Sequence, residues 1–102
     1  MPEANPKYKS KLLEQAHKHT FSNKEEVLNS ELCGCFYCCT IYPVSEIEND
    51  CIISETNGNA TIWCPKCGVD SVIGSASELP IAEKSFLIAL NELYFRGMIH
   101  DD

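Results

Sequence analysis

Cys35-Phe36-Tyr37-Cys38 and Cys64-Pro65-Lys66-Cys67-Gly68 decide how this sequence folds. Each contains a Cys-x-x-Cys pair, and 25 residues lie between the two pairs. Two intervening residues let the chain curl so that both sulfurs point at one ion while nearby amides point at the thiolates. The glycine after Cys67 permits a tight turn with positive φ. Two such turns supply the four ligands of a tetrahedral site, so the sequence predicts one Zn2+ held by Cys35, Cys38, Cys64 and Cys67. A closed four-sulfur site leaves no water position on the metal, and zinc hydrolysis is not expected. The same ligands suit a rubredoxin-like iron site, because ligand number alone does not choose the metal.

Three of the seven cysteines, Cys33, Cys39 and Cys51, remain over. Cys33-Gly34-Cys35 and the adjacent Cys38-Cys39 offer other pairings, but only Cys35 and Cys38 have the two-residue spacing. His17, His19 and His100 lie at no ligand spacing from a cysteine pair and read as surface residues. The opening Met1-Pro2-Glu3-Ala4-Asn5-Pro6-Lys7 is followed by no apolar h-region, so no secretory signal is expected. No run approaches the roughly 18 apolar residues of a membrane span. The expected compartment is therefore a reducing cytoplasm, where metal binding explains cysteines better than disulfides do.

Around the cysteines the pattern is α+β: a zinc-ribbon-like β-hairpin with two zinc knuckles, flanked by N-terminal helices and a C-terminal helix. Its 102 residues suit one domain spanning 1–102, with residues 1–6 as a loose tail. Cys51-Ile52-Ile53-Ser54-Glu55-Thr56 and Asn59-Ala60-Thr61-Ile62-Trp63-Cys64 flank Asn57-Gly58, which suits a two-residue hairpin turn. That turn would set Ser54 opposite Thr61, Ile52 opposite Trp63 and Cys51 opposite Cys64, and so place Cys51 beside the metal site. Short strands are expected at Thr40-Ile41-Tyr42, stopped by Pro43, and at Ser71-Val72-Ile73. Tyr8, Leu12, Leu13 and Ala16 form the stripe of a helix over Lys7–His17. Ser22-Asn23-Lys24-Glu25 reads as a capping box opening a helix to about Ser30, with Val27 and Leu28 buried. Pro80 is expected in the first turn of the final helix and Gly97 just past its end. Leu87, Leu90 and Tyr94, with Phe86, Ile88 and Phe95 beside them, make that helix the main core element.

The formal charge is −7, from 15 acidic and 8 basic residues, and four thiolates with one Zn2+ would bring it to about −9. This balance disfavours nucleic acid as a partner and favours a basic protein. Phe36 and Tyr37, at the tip of the first knuckle, are candidate anchors for such a partner. The leading expectation is thus a non-enzymatic zinc-binding interaction module. An immunity or inhibitor protein capping a basic toxin or nuclease is a sharper form of it. A redox protein is the second hypothesis, since Trp63-Cys64-Pro65-Lys66-Cys67 looks like the Trp-Cys-x-x-Cys of thioredoxins. Gly68, Val69, Val72, Ile73 and Gly74 nevertheless make a poor helix after that pair. A nucleic-acid-binding zinc ribbon is the third, resting on Lys7, Lys9, Lys11, Lys18 and Lys24. No sequence feature speaks to oligomeric state.

Cys33-Gly34-Cys35-Phe36-Tyr37-Cys38 and Cys64-Pro65-Lys66-Cys67-Gly68-Val69-Asp70-Ser71-Val72-Ile73-Gly74 resemble a family of small bacterial proteins labelled only "cytoplasmic protein". The resemblance extends weakly into both flanking helices. It implies a zinc-ribbon-like appearance and a cytoplasmic setting, and it supplies no activity. Asp70 and Ser71 within the second stretch are turn chemistry, and no catalytic set can be assembled around them.

Overall fold

Period-two alternation along short strands sets the architecture. The computed structural model describes residues 8–55 and 58–95. In chain order these form α1 (Ser10–Lys18), α2 (Lys24–Leu28), β1 (Leu32–Cys35), β2 (Thr40–Pro43), β3 (Ile52–Ser54), β4 (Ala60–Ile62), β5 (Val72–Gly74) and α3 (Lys84–Phe95). The chain is a mixed α/β protein with two small antiparallel sheets, β2-β1-β5 and β3-β4. The expected tail at 1–6, Thr56 and Asn57 of the hairpin, Gly97 and His100 lie outside the described residues; the first helix, expected from Lys7 to His17, starts only at Ser10, because Lys9 is extended, and runs to Lys18.

The central strand β1 pairs Cys33 with Tyr42 and Cys35 with Thr40 on one side, and Cys33 with Gly74 and Cys35 with Val72 on the other. Alternation therefore puts Cys33, Cys35, Tyr42 and Val72 on one face, where they pack with Val27, Ile62 and Cys64. Ile73 and Ile41 face the other way, into a second cluster built from Leu13, Ala16, Phe36, Phe86, Leu87 and Leu90. The sheet thus lies between α1 and α3 on one side and α2 with the β3–β4 hairpin on the other. Tyr8, buried just ahead of α1, packs edge-on against Phe86 at 5.1 Å between ring centres.

Several expectations are corrected. The hairpin register is shifted by one: Ile52 opposes Ile62, Ile53 opposes Thr61 and Ser54 opposes Ala60. The Glu55 amide donates to the Asn59 carbonyl at 2.8 Å, so three residues separate the last pair. Gly58 closes this longer loop at φ 87°, a left-handed conformation that suits a loop ending in a bulge. A one-residue slip reverses every side chain. Cys51 consequently lies opposite Trp63, whose amide donates to its carbonyl, and on the strand face away from Ile62.

The capping box does not form. Ser22 sits at φ 49° and its hydroxyl donates to Glu55, while α2 begins after Asn23. Leu28 is exposed, because five residues give α2 room for only one inward-facing position, taken by Val27. Pro80 precedes α3 instead of opening it; its carbonyl accepts the Glu83 amide in a separate turn, and the helix starts at Lys84. Strand β1 was not expected at all, since Cys33-Gly34-Cys35 resembles a turn by composition. Strand β5 runs from Val72 to Gly74, one residue later than expected.

Candidate metal centre

Both Cys-x-x-Cys pairs occupy turns next to the central sheet. Cys35 ends β1 and Cys38 lies in the turn leading to β2; Cys64 and Cys67 lie in the turn between β4 and β5. Because β5 pairs with β1, the two turns meet. The four sulfurs all lie within 4.8 Å of one another, with Cys35 Sγ 3.6 Å from Cys67 Sγ and Cys38 Sγ 3.8 Å from Cys64 Sγ. An ion bound tetrahedrally at about 2.3 Å from each sulfur requires sulfur–sulfur edges of about 3.8 Å. The residues therefore fit a single four-coordinate metal ion, and all four thiols are free of disulfide bonds.

The two turns are built alike. The Tyr37 amide donates to Cys35 Sγ at 3.4 Å and the Lys66 amide to Cys64 Sγ at 3.3 Å, so each pair's first sulfur accepts a backbone N–H two residues on. In the second turn the Gly68 amide closes on the Cys64 carbonyl at 2.8 Å, with Gly68 at φ 79°. The corresponding residue of the first turn is Cys39, at φ 57°. A non-glycine residue held there costs of order 1 kcal/mol, and burial of Cys39 against the apolar cluster offsets part of that.

Electrostatics describe what a cation would relieve. Four sulfurs this close cannot all be charged without a counter-charge. Donation from Cys35 and Cys38, supported by the Tyr42 hydroxyl and the Lys66 amide, pushes the Cys64 thiol down to about 3. Donation from Cys35 also lowers Cys67, while Cys35 is pushed up by its exchange of hydrogen bonds with Cys38, Cys64 and Cys67 and by burial. Negative charge is thus favoured at Cys64 beside a proton kept at Cys35, an arrangement that a divalent cation would replace.

The left-over thiols are different. Burial pushes Cys33 up to about 12 and Cys39 up to about 11, so both stay neutral thiols near pH 7. Cys51 Sγ lies 3.7 Å from Asp50 Oδ1 and is not part of the four-sulfur group, which corrects its expected place beside the site. Neither described histidine reaches the sulfurs: His17 stacks on Tyr94 with ring centres 4.2 Å apart, and His19 Nδ1 pairs with Glu26 at 2.8 Å. Phe36, expected as an exposed anchor, is 1% exposed because its ring fills the core under α3.

Two supporting residues escaped the sequence reading. Asn91 lies fully buried in α3, and its Nδ2 donates to the carbonyls of Phe36 at 3.0 Å and Tyr37 at 3.2 Å, pinning the first turn. An asparagine on the apolar side of a helix is a visible signal, since a buried amide needs a partner. Tyr42 donates its hydroxyl to Cys64 Sγ at 3.3 Å. Only recognition of β1 would have exposed that contact, because the register with Cys33 is what aims the ring at the sulfurs.

Fold and site together define a mixed α/β protein in which four clustered cysteines could hold a metal ion. No protein-family model, curated protein or solved structure matches the chain. Among the described residues, no helix is long and apolar enough to cross a membrane.

Proposed function

We propose that this chain is a non-enzymatic zinc-ribbon-like protein in which Cys35, Cys38, Cys64 and Cys67 hold one structural Zn2+ and the domain so fixed binds a protein partner in the cytoplasm. The observation that carries the metal assignment is the meeting of four sulfurs, from two alike turns, at the edge lengths of a tetrahedral thiolate site. Bound there, zinc supplies charge neutralisation and a cross-link between the β1–β2 turn and the β4–β5 connection, and no open coordination position. Chain residues do the rest: two amides orient the sulfurs and Asn91 holds the first turn.

A basic partner is favoured by the net charge of −7 and by the exposed run Glu46, Glu48 and Asp50. With Phe36 buried, the exposed aromatics Trp63 (41%) and Phe21 (54%) are the better candidates for anchoring it.

The test is elemental mass spectrometry on protein purified without chelator or nickel resin, with Cys35→Ser, Cys64→Ser and Cys51→Ser variants. One zinc per chain is expected in the wild type and in Cys51→Ser, and loss of zinc with loss of the folded state in the other two. Iron with a visible thiolate band would replace this reading with the rubredoxin-like one, and absence of any metal would overturn both.

A further inference from the structure

We propose that Tyr42 is a positioning residue of the metal centre, its hydroxyl donating to the Cys64 sulfur and holding that ligand in place while the ion is bound. The inference rests on the metal reading above. Cys64 is the best supported of the four sulfurs: it accepts the Tyr42 hydroxyl at 3.3 Å and the Lys66 amide at 3.3 Å, and it is 2% exposed. Cys38 and Cys67 lie half-buried. The centre is therefore asymmetric, with Cys35 and Cys64 enclosed and Cys38 and Cys67 nearer the surface.

Tyr42 is itself held rigidly. It is 3% exposed, and its pairing with Cys33 in the β1–β2 register sets its ring on the face that carries Cys35. The Lys66 ammonium lies 5.6 Å from the centre of the ring and pairs with Glu46 across it. Lys66 thus acts twice, through its amide on Cys64 and through its side chain over Tyr42. A buried phenol needs an acceptor, and the structure gives it a ligand sulfur. Donation draws electron density from the sulfur and fixes its direction, so the thiolate is less open to protons and electrophiles. Outer-shell partners of this kind typically change metal affinity by 10–100-fold.

The experiment compares wild type, Tyr42→Phe and, as a control in the other apolar cluster, Tyr94→Phe. Each is loaded with Co2+ for spectroscopy and with Zn2+ for transfer to a chromophoric chelator. In Tyr42→Phe we expect one ion per chain, zinc transfer about tenfold or more faster, and a sulfur-to-cobalt charge-transfer band at lower energy. Tyr94→Phe should match wild type in both. Equal transfer rates and an unmoved band in Tyr42→Phe overturn the inference. A wild type that takes up neither ion overturns the metal reading itself, so the two failures are separable. Should Tyr42→Phe not fold, wild type loaded with 113Cd decides the matter. A slowly exchanging hydroxyl proton coupled to the metal nucleus supports the bond, and its absence refutes it.

Discussion

Asn23 shows how much one side chain can organise in a chain this small. It is 3% exposed; its Nδ2 donates to the His19 carbonyl at 2.9 Å and the Val72 carbonyl at 2.7 Å, and its Oδ1 accepts the Ile62 amide at 2.9 Å. One amide so joins the end of α1, the edge strand β5 and the hairpin strand β4. Asn23→Ala should cost about 2–4 kcal/mol, because two buried backbone groups and one part-buried one lose this partner, and a denaturant titration would measure it. Gly68→Ala tests backbone strain in isolation. At φ 79° nothing lies within 4 Å of the added methyl, so a loss of about 1 kcal/mol, again by denaturant titration, would come from conformation alone. Residue identities were legible where chemistry needs a fixed spacing, as for the four sulfurs that now meet. They were illegible where a polar side chain serves a distant strand, as Asn23 does. Local pattern gave Ser22 a capping role, but no side chain caps α2, and Asn23 at its N-terminus spends its amide on distant strands.

At the level of elements, the close approach of α2 to β5 is the joint most open to test. A methyl on Gly74 would strike the Val27 backbone at 2.9 Å and the Ser30 side chain. Backbone cannot step aside, so Gly74→Ala should destabilise by about 1–3 kcal/mol and lower the thermal midpoint by several degrees. Ser30→Ala in the same background should recover part of that loss and not all of it. Helices α1 and α3 were readable because their apolar stripes are long, whereas the five residues of α2 carry almost none. The final helix has its buried face where Leu87 and Leu90 placed it. Strand β1 was hidden because glycine and cysteine carry little strand preference, and it forms through pairing on both sides. The hairpin itself was legible from its β-branched runs, while its register hung on a single loop residue.

For the whole molecule, proton exchange is the most direct consequence of the site. A thiol pushed below its ordinary value stays ionised as pH falls, and its charge is lost only on passing the lowered value. Cys64, at about 3, therefore has no proton to give up at pH 7, whereas Cys35, pushed upward, does. Zinc binding to the folded metal-free protein at pH 7 should thus release fewer than four protons per ion, measurable by titration in weakly buffered solution. Affinity should fall on acidification, because protons compete with the ion for the thiolates. Release of four protons would show that Cys64 is not ionised beforehand. The meeting of the two turns has a further consequence, for birth on the ribosome. Synthesis delivers Cys35 and Cys38 well before Cys64 and Cys67, and β1 waits for its second neighbour β5 over the same interval. A nascent chain can offer an ion only half of its ligands until the second turn has left the exit tunnel. Metal capture and closure of the sheet therefore wait until Cys67 and β5 have emerged, burial of the first turn waits longer still, for α3, and any chain stopped short of Cys67 is released with its first pair of thiols open to oxidation.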